Sequence, residues 1–460
     1  VIVDAGTITF SGTNTHTGGT WISNNATLRL SSQASLPAQT QKSLSELDVN
    51  GQPFYTNGVF EVVDLRLSRE DSTGIMGTLE LDDSRATNLV LTNSIGSTRS
   101  GGIFRVTAGT NSACTLELNG PINLKSYLSG YNAANGGGYV ILRGTNQFQN
   151  ASGLTLERGG RVMVSGPHCL WANLDLGIPA SVNFLDVSGY ARFGLAPEAT
   201  DVTLPNPINA NTNSSGTNRH AAIVLSTNKI NGAPQILRLT GTVGGVGGLR
   251  LLSPGNGDAG DLYLSPGNTY QGGTRIGTGR LFVSSADALG DGSTTNLRAS
   301  SIGFIRFETR SDSHLVVMND IDFPASHSIA VQDDATANLD VGAFNVVIRG
   351  FITNFDSPSV NGGHLRKLGS GTLTLYGTNG YTGITRVSQG TLVVGDPASL
   401  PANNRVQFGP SGILQLAAAG SYSIGNISPV VITNSAGPTN TETMAGVLNL
   451  GVSGVNVTVA

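Results

Sequence analysis

Apolar and polar positions alternate with period two along short runs of this chain, and the runs recur. In 367–401, KLGSGTLTLYGTNGYTGITRVSQGTLVVGDPASLP, Leu373 and Leu375 alternate with Thr372 and Thr374. Beyond a turn, Thr385 and Val387 flank Arg386, and beyond a second turn at Ser388–Gln389–Gly390, Leu392 and Val394 flank Val393. Successive side chains of a strand point to opposite faces, so one set must face a core. Three more stretches repeat the pattern, starting near Thr7 (TITFSGTNTHTGGTWISNNATLRLSSQASLP), Tyr139 (YVILRGTNQFQNASGLTLERGGRVMVSGPHCL) and Asp261 (DLYLSPGNTYQGGTRIGTGRLFVSSADALG). Their inward sets are Thr20, Ile22, Leu28 and Leu30; Leu154, Leu156, Val162 and Val164; and Thr274, Ile276, Leu281 and Val283. The positions between them vary among Trp21, Thr155, Arg275 and Arg386, and each copy closes on a leucine: Leu36, Leu170, Leu289 or Leu400. Small or aliphatic residues inward with tolerance outward predict a filled, one-sided core.

Further strand-like runs lie between the copies, among them Ile305–Phe307, Leu315–Val317 and Asn345–Ile348. No stretch of three turns has apolar residues at helical spacing with a cap. Internal repetition of this kind predicts a parallel β-solenoid of four modules, 1–138, 139–260, 261–371 and 372–460. Three short strands and three turns take roughly 20–25 residues, giving about five coils per module and about twenty in all, stacked at about 4.8 Å.

Composition agrees with that picture and narrows the function. Charged residues are 12% of the chain and Gly contributes 62 of 460 residues, which suits short strands and tight turns. A net charge of −4 with scattered basic residues excludes a nucleic-acid stripe, and no apolar run approaches a membrane-spanning helix. Two cysteines, Cys114 and Cys169, are too few for a disulfide scaffold and read as small buried side chains.

The run Gly369–Ser370–Gly371–Thr372–Leu373–Thr374–Leu375, followed by Asn379–Gly380–Tyr381–Thr382–Gly383 and Gly390–Thr391–Leu392–Val393–Val394, resembles the autotransporter-associated β-strand repeat. Ser284–Ser285–Ala286–Asp287–Ala288–Leu289–Gly290 is similar to the tail of that repeat. The resemblance implies export, a right-handed β-helix and display at a bacterial surface. It brings no catalytic residues, because the repeat marks a scaffold. No C-terminal pattern of a membrane barrel is present, and a start at Val1 fits a processed or excised piece.

Candidate chemistry is thin. Asp82–Asp83, Asp333–Asp334 and Asp258/Asp261 are the available carboxylate pairs, but adjacent aspartates in a strand face opposite ways. The six histidines (His16, His168, His220, His314, His327, His364) are isolated, without metal-ligand spacing. No catalytic residue, metal or cofactor is therefore expected. Trp21, Phe148, Tyr270 and Tyr381 are candidates for an outward glycan platform or, preferably, a turn-side aromatic ladder, with His16 taking the aromatic place in the first copy. Three readings of function follow: a structural fibre or surface-layer subunit, an adhesin displaying a loop at 38–60, and a glycan-active enzyme. The expected partners are the chain itself, with surface glycans as a further candidate. Head-to-tail assembly through Val1, Ile2, Val3, Val457 and Val459 is expected from phase, since Asn338–Leu339–Asp340–Val341–Gly342 resembles Asn449–Leu450–Gly451–Val452–Ser453.

Overall fold

The alternating runs form short strands that pair almost entirely in parallel in the computed structural model. The structure describes residues 1–36 with short breaks, the strands between 65 and 131, and most of 139–460, the longest gaps there being 211–219, 292–304 and 432–445. Among the described residues there is no α-helix, and none is long and apolar enough to cross a membrane. The only helical elements there are 3-10 turns at Pro167–Cys169, Ala286–Leu289 and Pro397–Ser399.

The chain divides into two compact units, Val1–Val224 and Leu225–Ala460. In the first, three ladders of parallel strands rise together. One contains Thr20–Ile22 and Asn146–Phe148, a second Thr27–Leu30 and Leu154–Glu157, and a third Thr115–Leu118, Tyr139–Leu142 and Arg161–Val164. The chain visits each ladder in turn and returns one strand further on, which is a parallel β-solenoid. A single antiparallel pair among the described residues, Trp171–Asn173 with Ile178–Pro179, ends the first ladder. Proline has no N–H to donate to a further strand, so it suits an edge.

The second unit repeats the plan. One ladder runs Ile236–Leu239, Asp261–Leu264, Gly279–Val283, Ser313–Val317, Thr336–Asp340 and His364–Leu368. A second joins Ile321–Phe323, Asn345–Ile348 and Thr372–Leu375. Thr385–Val394 serves both, pairing with 365–367 through its first half and with 372–375 through its second. The turn expected at Ser388–Gln389–Gly390 is thus a bend inside one strand, with a register irregularity between Val387 and Gln389.

Register shows what a sequence repeat is. In each copy the first and last strands are parallel neighbours: Ile8 stands opposite Leu28, Val140 opposite Val162, Leu262 opposite Leu281 and Leu373 opposite Leu392. One repeat is therefore one full coil plus the strand that lands on its own start. All the inward positions read from the sequence are 1% exposed or less, including Thr20, Thr274 and Thr385. Burial of each leucine or valine contributes about 1.5–3 kcal/mol. Of the varying positions, Arg386 is exposed, Trp21 and Arg275 are half-buried, and Thr155 is buried.

Candidate functional site

The residues shared between copies converge on the turn between a repeat's first two strands. Asn379 reaches three coils at once. Its Oδ1 accepts the Ile352 N–H of the preceding coil at 2.7 Å, and its Nδ2 donates to the Ser399 carbonyl of the following coil at 2.6 Å. Asn268 does the same with Val243 N–H at 2.8 Å and the Ala288 carbonyl at 2.7 Å, and Asn146 donates to the Cys169 carbonyl at 3.2 Å. Each acceptor carbonyl immediately precedes the closing leucine (Leu400, Leu289 or Leu170), and all three of these are buried. The side-chain amide is a double-ended hydrogen-bond bridge, so it closes turns that lie beyond the strand ladders.

Two residues further on stands the aromatic. Phe148, Tyr270 and Tyr381 are at most 1% exposed, so the expectation of an outward glycan platform is overturned for all three. The two tyrosine phenols find buried partners: Tyr270 OH lies 2.6 Å from Thr274 Oγ1 and Tyr381 OH 2.6 Å from Thr385 Oγ1. Because Thr385 donates to Asn404 Oδ1 at 2.6 Å, it accepts from Tyr381. Burial pushes both tyrosine pKa values well up, opposed by the threonine bonds. In the first copy His16 takes the same place, with Nε2 2.8 Å from Thr20 Oγ1, and burial lowers its pKa. Trp21 alone of the four aromatics keeps partial exposure.

A buried cation completes the fourth copy. Lys367, fully buried at an inward position, donates from Nζ to the carbonyls of Gly369 at 2.5 Å and Gln389 at 2.9 Å. Burial lowers its pKa to about 8, opposed by the charge of Asp340. Nothing in the alternation signals it, because a lysine at an inward place looks like a break in the pattern.

The remaining sequence candidates are dispersed. Asp261 is occupied by Arg280, with contacts of 2.7 and 2.6 Å, rather than standing free as an acid or base. Asp333 and Asp334 sit on a turn between strands, Asp334 at a left-handed φ of 62°. Asp82, Asp83, Asp258, Cys114 and the loop at 38–60 lie outside the described residues. Cys169 is a buried free thiol. Among the described residues no three His, Cys, Asp or Glu side chains gather as a metal site.

At the proposed assembly surfaces, Val1 is 46% exposed, Val3 is buried, and Val457 is half-buried opposite Tyr422. The side chains of Ile2 and Val459 lie outside the described residues. The phase likeness does not hold in three dimensions. Leu339 belongs to the ladder of Leu315, whereas Leu450 stands opposite Leu416 in the ladder that carries Leu375 and Ile348. A strand followed by a polar turn looks alike wherever it sits on the coil.

A family model, the passenger-associated-transport-repeat, matches residues 3–30, 258–282 and 365–394. These are the first, third and fourth copies, so the chain carries a repeat of autotransporter passengers, which are exported to the cell surface or extracellular space. No curated protein and no solved structure matches the chain.

Proposed function

We propose that this chain is an exported structural solenoid, standing outside a bacterial cell as a subunit of a fibre or surface layer. The observation that carries the reading is where the copies agree: on stacked inward positions in all four and, in the third and fourth, on an asparagine bridge that spans three coils. Both act on cohesion between coils. The passenger repeat supports export. Stacked repeats of this kind gain stability from each neighbour in turn, which suits a rigid extracellular element.

Export is tested by placing an epitope tag in the chain in its host and treating intact cells with protease. Loss of the tag without lysis is expected; a tag protected until lysis overturns the reading. Assembly is tested by negative-stain microscopy of the native material. Filaments are expected for a fibre subunit, whereas separate particles favour a displayed adhesin. Incubation with a broad panel of polysaccharides is expected to give no cleavage, and cleavage abolished by Asp333→Asn would favour the enzyme reading.

A further inference from the structure

The chain as a whole carries a net charge of −4, yet one outward face of the second unit is basic. On the ladder from Ile236–Leu239 to the first part of Asn404–Leu416, the outward charges among the described residues are Arg238, Arg280, Arg366, Arg386 and Arg405 against Asp261 and Asp340. Register sets Arg280, His314, Asn338, Arg366, Arg386 and Gln407 opposite one another on successive strands. Arg405 is the next outward residue on the strand of Gln407.

Adjacent strands lie about 4.8 Å apart, so Arg366 and Arg386 place two guanidinium groups on neighbouring coils, where like charges repel. At the other end of the row Asp261 neutralises Arg280 through both carboxylate oxygens. Among the described residues Arg366 donates to a neutral hydroxyl, Ser388 Oγ at 3.0 Å. Among the described residues, none of Arg366, Arg386 and Arg405 has a carboxylate partner. Beside the row, Arg238 lies 4.1 Å over the Tyr263 ring, which stacks on Phe282 at 4.1 Å and 8°. That closed column stiffens the face.

We infer that this face binds an acidic polysaccharide, whose carboxylate or sulfate groups sit on Arg366, Arg386 and Arg405. The planar guanidinium fork matches both anions in geometry and charge. The coil spacing is comparable with the length of a sugar residue, so a chain running across the strands meets one arginine after another. Single-stranded nucleic acid fits less well, because Tyr263 and Phe282 are closed on each other and present no open ring for a base. The inference is independent of the structural reading above, since export and assembly proceed whether or not this face is occupied.

The test measures binding of the whole chain at low salt to immobilised heparin, polygalacturonate, dextran and single-stranded DNA. Binding to heparin or polygalacturonate, none to dextran, and weakening with added salt are expected. The double variant Arg366→Gln/Arg386→Gln should bind at least about ten-fold more weakly, with Arg405→Gln weaker to a lesser degree and unchanged circular dichroism in both. Arg349→Gln, which removes an exposed arginine paired with Asp322 elsewhere in the unit, should bind as the parent does. No binding to either acidic polymer, equal loss in Arg349→Gln, or equal binding to DNA with the same arginine dependence would overturn the inference.

Discussion

Replacing Lys367 by methionine should change how stability depends on pH, in a direction opposite to that of most surface lysines. The ammonium is fully buried and held by main-chain carbonyls, and its pKa falls from 10.5 to about 8. Below pH 8 the group is charged both folded and unfolded, and the folded state bears the cost of its dehydration. Between pH 8 and 10.5 the folded amine is neutral while the unfolded one still binds a proton, so stability rises with pH. One pKa unit corresponds to about 1.36 kcal/mol, which gives a gain of about 2–3 kcal/mol between pH 7 and pH 10. Lys367→Met keeps the volume and removes the titration, so the parent should gain that amount relative to the variant across the same window. Above pH 10, ionisation of Tyr270 and Tyr381 in the unfolded chain opposes the gain in both proteins, because burial holds their folded pKa values up. Urea unfolding followed by circular dichroism at pH 7, 8, 9 and 10 measures the difference, in which all other groups cancel. A parent-minus-variant difference that stays flat from pH 7 to pH 10 would refute the reasoning and mean that the lysine reaches water.

Three further sets of substitutions probe the repeat. Leu375→Asp or Val394→Asp buries an unpaired carboxylate and should cost more than about 4 kcal/mol in urea unfolding, whereas Arg386→Asp on the open face should stay within about 0.5 kcal/mol. Asn379→Ala orphans the Ile352 N–H and the Ser399 carbonyl and should cost about 2–4 kcal/mol, against about 1 kcal/mol for Tyr381→Phe, since Thr385 keeps its bond to Asn404. Gly390→Ala should lower the melting temperature by several degrees, at about 1–3 kcal/mol. Gly390 has φ +62°, and a Cβ there would come 2.5 Å from the Ser370 and Gly371 carbonyls.

The inward set was legible because two independent signals coincide in it, period-two alternation and agreement between copies. Thr20, Thr274 and Thr385 show the strength of that coincidence: polar residues were assigned to the core, and hydrogen bonds to His16, Tyr270 and Tyr381 satisfy them there. Those partners were misplaced for a physical reason. A turn has no facial period, so nothing in the sequence says whether Tyr381 points out or folds back over its own strand. The asparagine bridge was equally hidden, because its partners lie in coils 27 residues before and 20 after Asn379. Lys367 depends on Gln389, 22 residues on, a contact only the closed coil creates. The basic row reads as scattered arginines along the chain and becomes a row only through register.

The account stands on the claim that successive coils stack in register. Spin labels at Asp322→Cys and Gln415→Cys, in a background with Cys114 and Cys169 replaced by alanine, test it most directly by pulsed electron paramagnetic resonance. Asp322, Val347, Thr374, Val393 and Gln415 stand opposite one another on five consecutive strands. Four steps of about 4.8 Å predict a narrow distance distribution near 19 Å, widened by the label arms. A broad distribution, or one centred beyond about 35 Å, would contradict the stacked solenoid.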